Sequence, residues 1–197
     1  VKNEQGTPIG NLGDGEAVWH ADMTYLKLPP KAGILYALEV PENQGNTHFA
    51  NMELAYSELP NRLKDKIDGK ILIHDSAHNS AGMLRKGYEE VENPSDTPGA
   101  RHPIVIRDKN TNKKLLFLGR RPHAYIIGLE LEESEDLLNE IWEHATQDKF
   151  TWTQQWEKGD LLMWKNLNVL HKRDAFDPNT RRVMHRTQIK GEMKITA

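Results

Sequence analysis

VWHADMTYL, residues 18–26, is the stretch from which the rest of the chain can be read. Its β-branched and aromatic content predicts a strand, and residues two apart on a strand point to the same face. His20 and Asp22 are two apart, so together they offer an imidazole and a carboxylate to one ion. A His-x-Asp pair on its own is usually a surface pair, and a metal needs a third donor.

The flanking sequence carries the same character. GILYALEV (33–40), THFAN (47–51), ILIHDSAH (71–78), FTWTQQW (150–156), DLLMWKN (160–166) and RRVMHRTQI (181–189) read as further strands. HPIVIRD (102–108) and KLLFLG (114–119) flank KNTN and predict a hairpin. MELAYSELPNRLKDKI (52–67) has helical spacing broken at Pro60, which predicts two short helices. Residues 132–147 predict one longer helix, with acidic residues in its first turn and Leu137, Leu138, Ile141 and Trp142 on one face. Residues 79–100 are polar and rich in Gly and Pro, a long loop of the kind often used as a lid. Many short strands with few helices point to a mainly β chain, an antiparallel barrel or jelly roll.

The chain has 197 residues, no cysteine, and a net charge of −3 from 26 basic and 29 acidic residues. One domain over residues 1–197 is expected. The absence of cysteine excludes disulfide frameworks, thiolate catalysis and Cys-ligated metal, leaving His and carboxylate as metal donors. The charge balance gives no reason to expect a nucleic acid or an anionic membrane as partner, which favours a small molecule. No apolar run is long enough for a membrane span and the first residues lack the pattern of a signal peptide, so a cytoplasmic address is expected. The chain begins without Met and reaches its first motif by residue 20, which suggests that an N-terminal segment is missing.

Two His and one carboxylate suit non-haem Fe(II), because they leave adjacent positions open for a bidentate cosubstrate and O2. His171, in NLNVLHKRDAF, has the strand-to-loop setting a third ligand requires. His74 and His78 straddle a strand end and predict no second metal site.

WHADMTY, GNTHFAN, GDLLMWKN with NVLHKRDAF, and RRVMHR, in that order, resemble the taurine dioxygenase (TauD/TfdA) family of Fe(II)/2-oxoglutarate oxygenases, over about residues 16–191. The resemblance implies a double-stranded β-helix, or jelly roll. It implies Fe(II) held by His20, Asp22 and His171, with 2-oxoglutarate and O2 as cosubstrates. It places the 2-oxoglutarate contacts on Thr47 and Arg182 and a second active-site arginine on Arg186. On a regular strand Arg182, Met184 and Arg186 share a face, with the two arginines about 13 Å apart. The family's habit of forming homo-oligomers carries over as an expectation, though no residue pattern marks an interface.

The substrate end departs from the family. Glu16 stands where taurine dioxygenases carry an Asn that contacts taurine, and Pro122 lies near the position of a pocket Phe. Arg186 is therefore expected to meet an anionic group of the substrate and Glu16 an amine at its other end. The reading is a dioxygenase that hydroxylates a small anionic compound, sulfonate-like or an amino-bearing acid. A halogenase would need a halide where Asp22 supplies its carboxylate. A non-catalytic jelly-roll binding module is the alternative outside enzymology.

Overall fold

The computed structural model describes residues 17–79, 82–192 and 195. In chain order the elements are β1 (Ala17–His20), β2 (Ala32–Glu39), β3 (Thr47–Asn51), α1 (Met52–Ser57), α2 (Asn61–Ile67), β4 (Ile71–Asp75), β5 (Gly99–Pro103), β6 (Val105–Arg107), β7 (Lys114–Leu116), β8 (Tyr125–Ile126), α3 (Leu131–Ala145), β9 (Thr151–Gln154), β10 (Leu161–Lys165), β11 (Val169–Arg173) and β12 (Val183–Ile189). All the strand pairs are antiparallel. The chain is mainly β, with the jelly-roll architecture expected from its strand pattern.

Two sheets frame the site. One has the order β1-β11-β3-β9 and the other β10-β2-β12. Their side chains meet where Trp164 of β10 packs against Phe49 of β3, ring centroids 5.4 Å apart, and against His171 of β11 at 5.1 Å. Gly33 on β2 pairs with Trp164, and a Cβ there would lie 2.4 Å from the indole. Glycine is what lets the ring lie flat across the sheet.

The main apolar core lies to one side of this space. Leu59, Leu63 and Ile67 around the Pro60 break, Leu115 to Leu118 after the hairpin turn, and Leu138 and Ile141 of α3 are almost wholly buried in it. The helix face predicted at Leu137, Leu138, Ile141 and Trp142 is the buried one. Truncating Leu138 to Ala is expected to cost about 2–5 kcal/mol of stability, read as a lower midpoint in urea unfolding. A midpoint unchanged within error would place Leu138 outside the core.

Two strand expectations need correction. HPIVIRD is split, because Ile104 turns inward to the core between β5, which pairs with β4, and β6, which pairs with β7. VWHADMTYL is a strand only to His20. Asp22 already lies in a turn, and Met23 adopts φ +50°, a left-handed conformation unusual for a residue with a long side chain.

Candidate active site

His20 closes β1 and pairs directly with His171 on β11, which in turn pairs with Phe49 on β3. The two imidazoles sit with centroids 4.2 Å apart. Asp22 joins them from the turn, its Oδ1 3.6 Å from His20 Nε2 and 3.7 Å from His171 Nε2. Among the described residues this is the one group of three or more such side chains with donor atoms close enough to share an ion. The structure brings together the His20 and Asp22 side chains that strand spacing paired, but a turn, and not strand alternation, brings the carboxylate round.

The donor set fits a metal. His20 Nδ1 donates to Val18 O at 2.7 Å, which leaves the Nε2 lone pair directed at the other two ligands. Donors about 2.1 Å from one ion and at right angles to each other lie about 3 Å apart, and the 3.6 Å and 3.7 Å separations from Asp22 Oδ1 are close to that spacing. Asp22 is almost fully buried, and its Oδ2 has no hydrogen-bond partner. A buried carboxylate oxygen left in this way is costly unless a cation is nearby.

The electrostatics keep Asp22 and His171 in the forms in which each could bind a metal. Burial opposes ionisation of Asp22, but the contact with His20 and the charges of His171 and Arg186 outweigh it and hold the carboxyl well below its usual range. Burial, helped by the neighbouring His20, lowers His171 to about 3, so its ring is neutral at working pH. Arg186 is then the permanent positive charge at Asp22, with Nη2 2.6 Å from Oδ1. The arginine expected to meet the substrate thus reaches across from β12 to the metal carboxylate.

Arg182 lies just ahead of β12, beyond a slip in the pairing between Val183 and Met184, so the two arginines do not project from one regular strand. Its side chain packs on Gly45, where a Cβ would come within 2.9 Å of Arg182 Cδ and Nε. Arg182 Nε and Nη2 are buried without a hydrogen-bond partner. Burial and the nearby Arg173 lower the guanidinium to about 10, which still leaves it charged at neutral pH. Thr47, at the start of β3, pairs with Arg173 and is buried. Trp156 Nε1 donates to Thr47 Oγ1 at 2.9 Å, and since an indole can only donate, the Thr47 hydroxyl proton is left to donate elsewhere. Buried, unpaired guanidinium donors on Arg182 are chemically suited to a carboxylate. Glu16 lies outside the described residues.

The family model for "Taurine catabolism dioxygenase TauD, TfdA family" matches residues 1–188, a span that contains every one of these side chains. The chain belongs to this family. Among TauD/TfdA relatives it is 31% identical over 183 residues to the alpha-ketoglutarate-dependent 2,4-dichlorophenoxyacetate dioxygenase of Burkholderia sp. (strain RASC), covering 93% of this chain and 60% of the relative. It is 33% identical to the (S)-phenoxypropionate/alpha-ketoglutarate-dioxygenase of Sphingobium herbicidovorans, covering 93% and 63%. The crystal structure of AAD-2 in complex with Mn(II) and N-oxalylglycine superposes with a TM-score of 0.80 at 28% identity, over 100% of this chain and 76% of that one. The chain therefore spans somewhat under two thirds of the length of the curated TauD/TfdA relatives it matches.

Some residues of the site escape a reading by residue type and spacing. Trp156 orients Thr47, and Asn166, fully buried at the end of β10, holds the backbone of Asp22. Trp156 reads as ordinary core. Asn166 reads as the polar end of a strand, and only its zero exposure shows otherwise. His78 is engaged elsewhere, its buried Nδ1 held 2.8 Å from Asp75 Oδ2. No helix among the described residues is long and apolar enough to cross a membrane.

Proposed function

We propose that this chain carries the catalytic core of an Fe(II)/2-oxoglutarate-dependent dioxygenase that hydroxylates a small anionic organic compound. The observation that carries the reading is the convergence of His20, Asp22 and His171 at one point, with Arg186 of β12 reaching Asp22. Family membership supports it, as do relatives whose names join an alpha-ketoglutarate requirement to carboxylate substrates.

His20, Asp22 and His171 would hold the iron and leave its remaining positions open. Iron with 2-oxoglutarate and O2 supplies the oxidation, releasing succinate and CO2 and leaving a hydroxyl on the substrate. The chain supplies position. Arg182 forms paired hydrogen bonds to the far carboxylate, a geometry that suits the planar guanidinium and no other cationic side chain. Thr47 donates its hydroxyl proton to the same ligand. Phe49 and Trp164 pack round His171 and keep water from that side of the site.

Arg186 is assigned to the anionic group of the primary substrate, because its guanidinium is at the metal carboxylate and its side chain is 43% exposed, open to an incoming ligand. Arg186→Ala is expected to raise the KM for that substrate about 10-fold to 100-fold, from a lost charged hydrogen bond worth about 1.5–3 kcal/mol. The 2-oxoglutarate requirement should move far less. A loss confined to 2-oxoglutarate would reassign the residue to the cosubstrate. Glu16 remains the candidate for an amine on the substrate, and Glu16→Gln should then weaken aminated substrates selectively.

The test of the whole reading is succinate formation that depends on both Fe(II) and 2-oxoglutarate. A panel of aryloxy acids, sulfonates, sulfate esters and amino acids serves as candidate substrates. A protein that binds metal yet turns over no 2-oxoglutarate with any of them would favour the binding-module reading instead.

A further inference from the structure

We infer that Asn166 is a positioning residue that presets Asp22 for the metal by clamping the backbone of that ligand at both of its polar groups. The inference rests on the proposed metal site and extends it to a residue that touches no substrate or metal.

The need for a clamp follows from where Asp22 lies. β1 ends at His20, so no ladder partner fixes the backbone of the carboxylate ligand, and the next residue, Met23, holds φ +50°. Left to itself, such a turn would relax toward conformations that aim the carboxylate elsewhere. The carboxamide of Asn166 takes the place of the missing strand. Asp22 N–H donates to Asn166 Oδ1 at 2.8 Å, and Asn166 Nδ2 donates to Asp22 O at 2.8 Å. One residue thus exchanges both hydrogen bonds with Asp22, as an antiparallel neighbour would. The second Nδ2 proton goes to Pro30 O at 2.9 Å, and the Asn166 backbone N–H donates to Lys31 O at 3.0 Å. These partners also fix the orientation of the amide, since the two carbonyls can only accept.

Asn166 is fully buried, so every one of these bonds is made away from water. It also sits between Trp164 and the last ligand, His171, on the chain segment that delivers that histidine. A single side chain thereby ties the turn bearing the second ligand to the strand connection bearing the third. Neighbouring Asn168 is different in kind. Its Nδ2 donates to Asp108 Oδ2 at 2.8 Å, a contact that braces the hairpin turn and not the ligands.

The experiment titrates Mn(II) into the purified chain, reading free ion by electron paramagnetic resonance, with the melting temperature of the metal-free protein measured alongside. Asn166→Ala is expected to weaken Mn(II) about 10-fold to 100-fold, the range seen when outer-shell partners of metal ligands are removed. Asn166→Asp keeps the acceptor for Asp22 N–H but sets a carboxylate against two carbonyl oxygens, and should do no better. Asn168→Ala should lower the melting temperature and leave Mn(II) affinity near wild type, which separates positioning from general stability. In an Asp22→Ala background, Asn166→Ala should weaken Mn(II) no further, because the residue it positions is gone. Should Asn166→Ala fail to fold, Asn166→Ser carries the same readout. Wild-type Mn(II) affinity in the folded Asn166 variants, or a full additional loss in the Asp22→Ala background, overturns the inference. A wild-type chain that binds no Mn(II) at all overturns the metal site itself.

Discussion

Replacing His20, Asp22 or His171 with Ala is expected to abolish 2-oxoglutarate turnover and to reduce metal affinity by more than the roughly 10-fold to 100-fold that outer-shell changes cause. The site has three protein donors and no fourth His or carboxylate within reach among the described residues. Losing one leaves a two-donor site that also releases the open positions from their fixed arrangement. The three losses should differ in their side effects. Asp22→Ala removes the carboxylate that Arg186 pairs with and leaves a guanidinium facing two imidazoles. His171→Ala opens a hole between Phe49 and Trp164, so its melting temperature should fall most. Metal titration of folded variants separates these effects from turnover. Full activity in any one of the three would remove that residue from the metal site.

How much of this was legible depended on whether the cause was local. Strands such as Thr47–Asn51 are announced by their own residues, and the break at Pro60 follows from a missing N–H and a steric clash, both properties of one residue. The turn at Asp22 was not legible. VWHADMTYL alternates as a strand would, and a left-handed Met23 gives no signal in a sequence where Gly or Asn would have given one. What bends the chain there is Asn166, distant in sequence, together with the hydrogen bond from Ala21 N to Gly119 O at 2.9 Å. The end of the first sheet strand is thus a tertiary event. His20, His171 and Arg182 could be named as candidates from the sequence, because an imidazole or a guanidinium carries chemistry particular to its residue type and the family resemblance marks these positions. Trp156 and Asn166 could not, because a buried indole or carboxamide takes its meaning from what it touches.

Arg182→Ala is expected to raise the 2-oxoglutarate requirement by about 30-fold or more while leaving Mn(II) affinity near wild type. Removing one member of a buried, hydrogen-bonded charge pair typically costs about 2–5 kcal/mol. Arg182→Lys should recover only part of the loss, since an ammonium keeps the charge but not the paired hydrogen bonds. The sign of the stability change makes the stronger test. Without cosubstrate, Arg182 holds a charged group in a buried place with Nε and Nη2 unpaired, and Arg173 nearby adds repulsion. That arrangement costs folding free energy, so Arg182→Met, which keeps the apolar stem against Gly45, should leave the melting temperature of the cosubstrate-free protein unchanged or higher. With metal present, 2-oxoglutarate at 100 times its Kd should stabilise the wild-type chain by about 2.7 kcal/mol. The same concentration should stabilise the Met variant much less. This pattern, a neutral or stabilising mutation that abolishes ligand-induced stabilisation, belongs to a residue kept for binding and not for folding. An Arg182→Met protein that melts lower and retains the wild-type 2-oxoglutarate titration would make Arg182 part of the scaffold and leave the cosubstrate carboxylate without its partner.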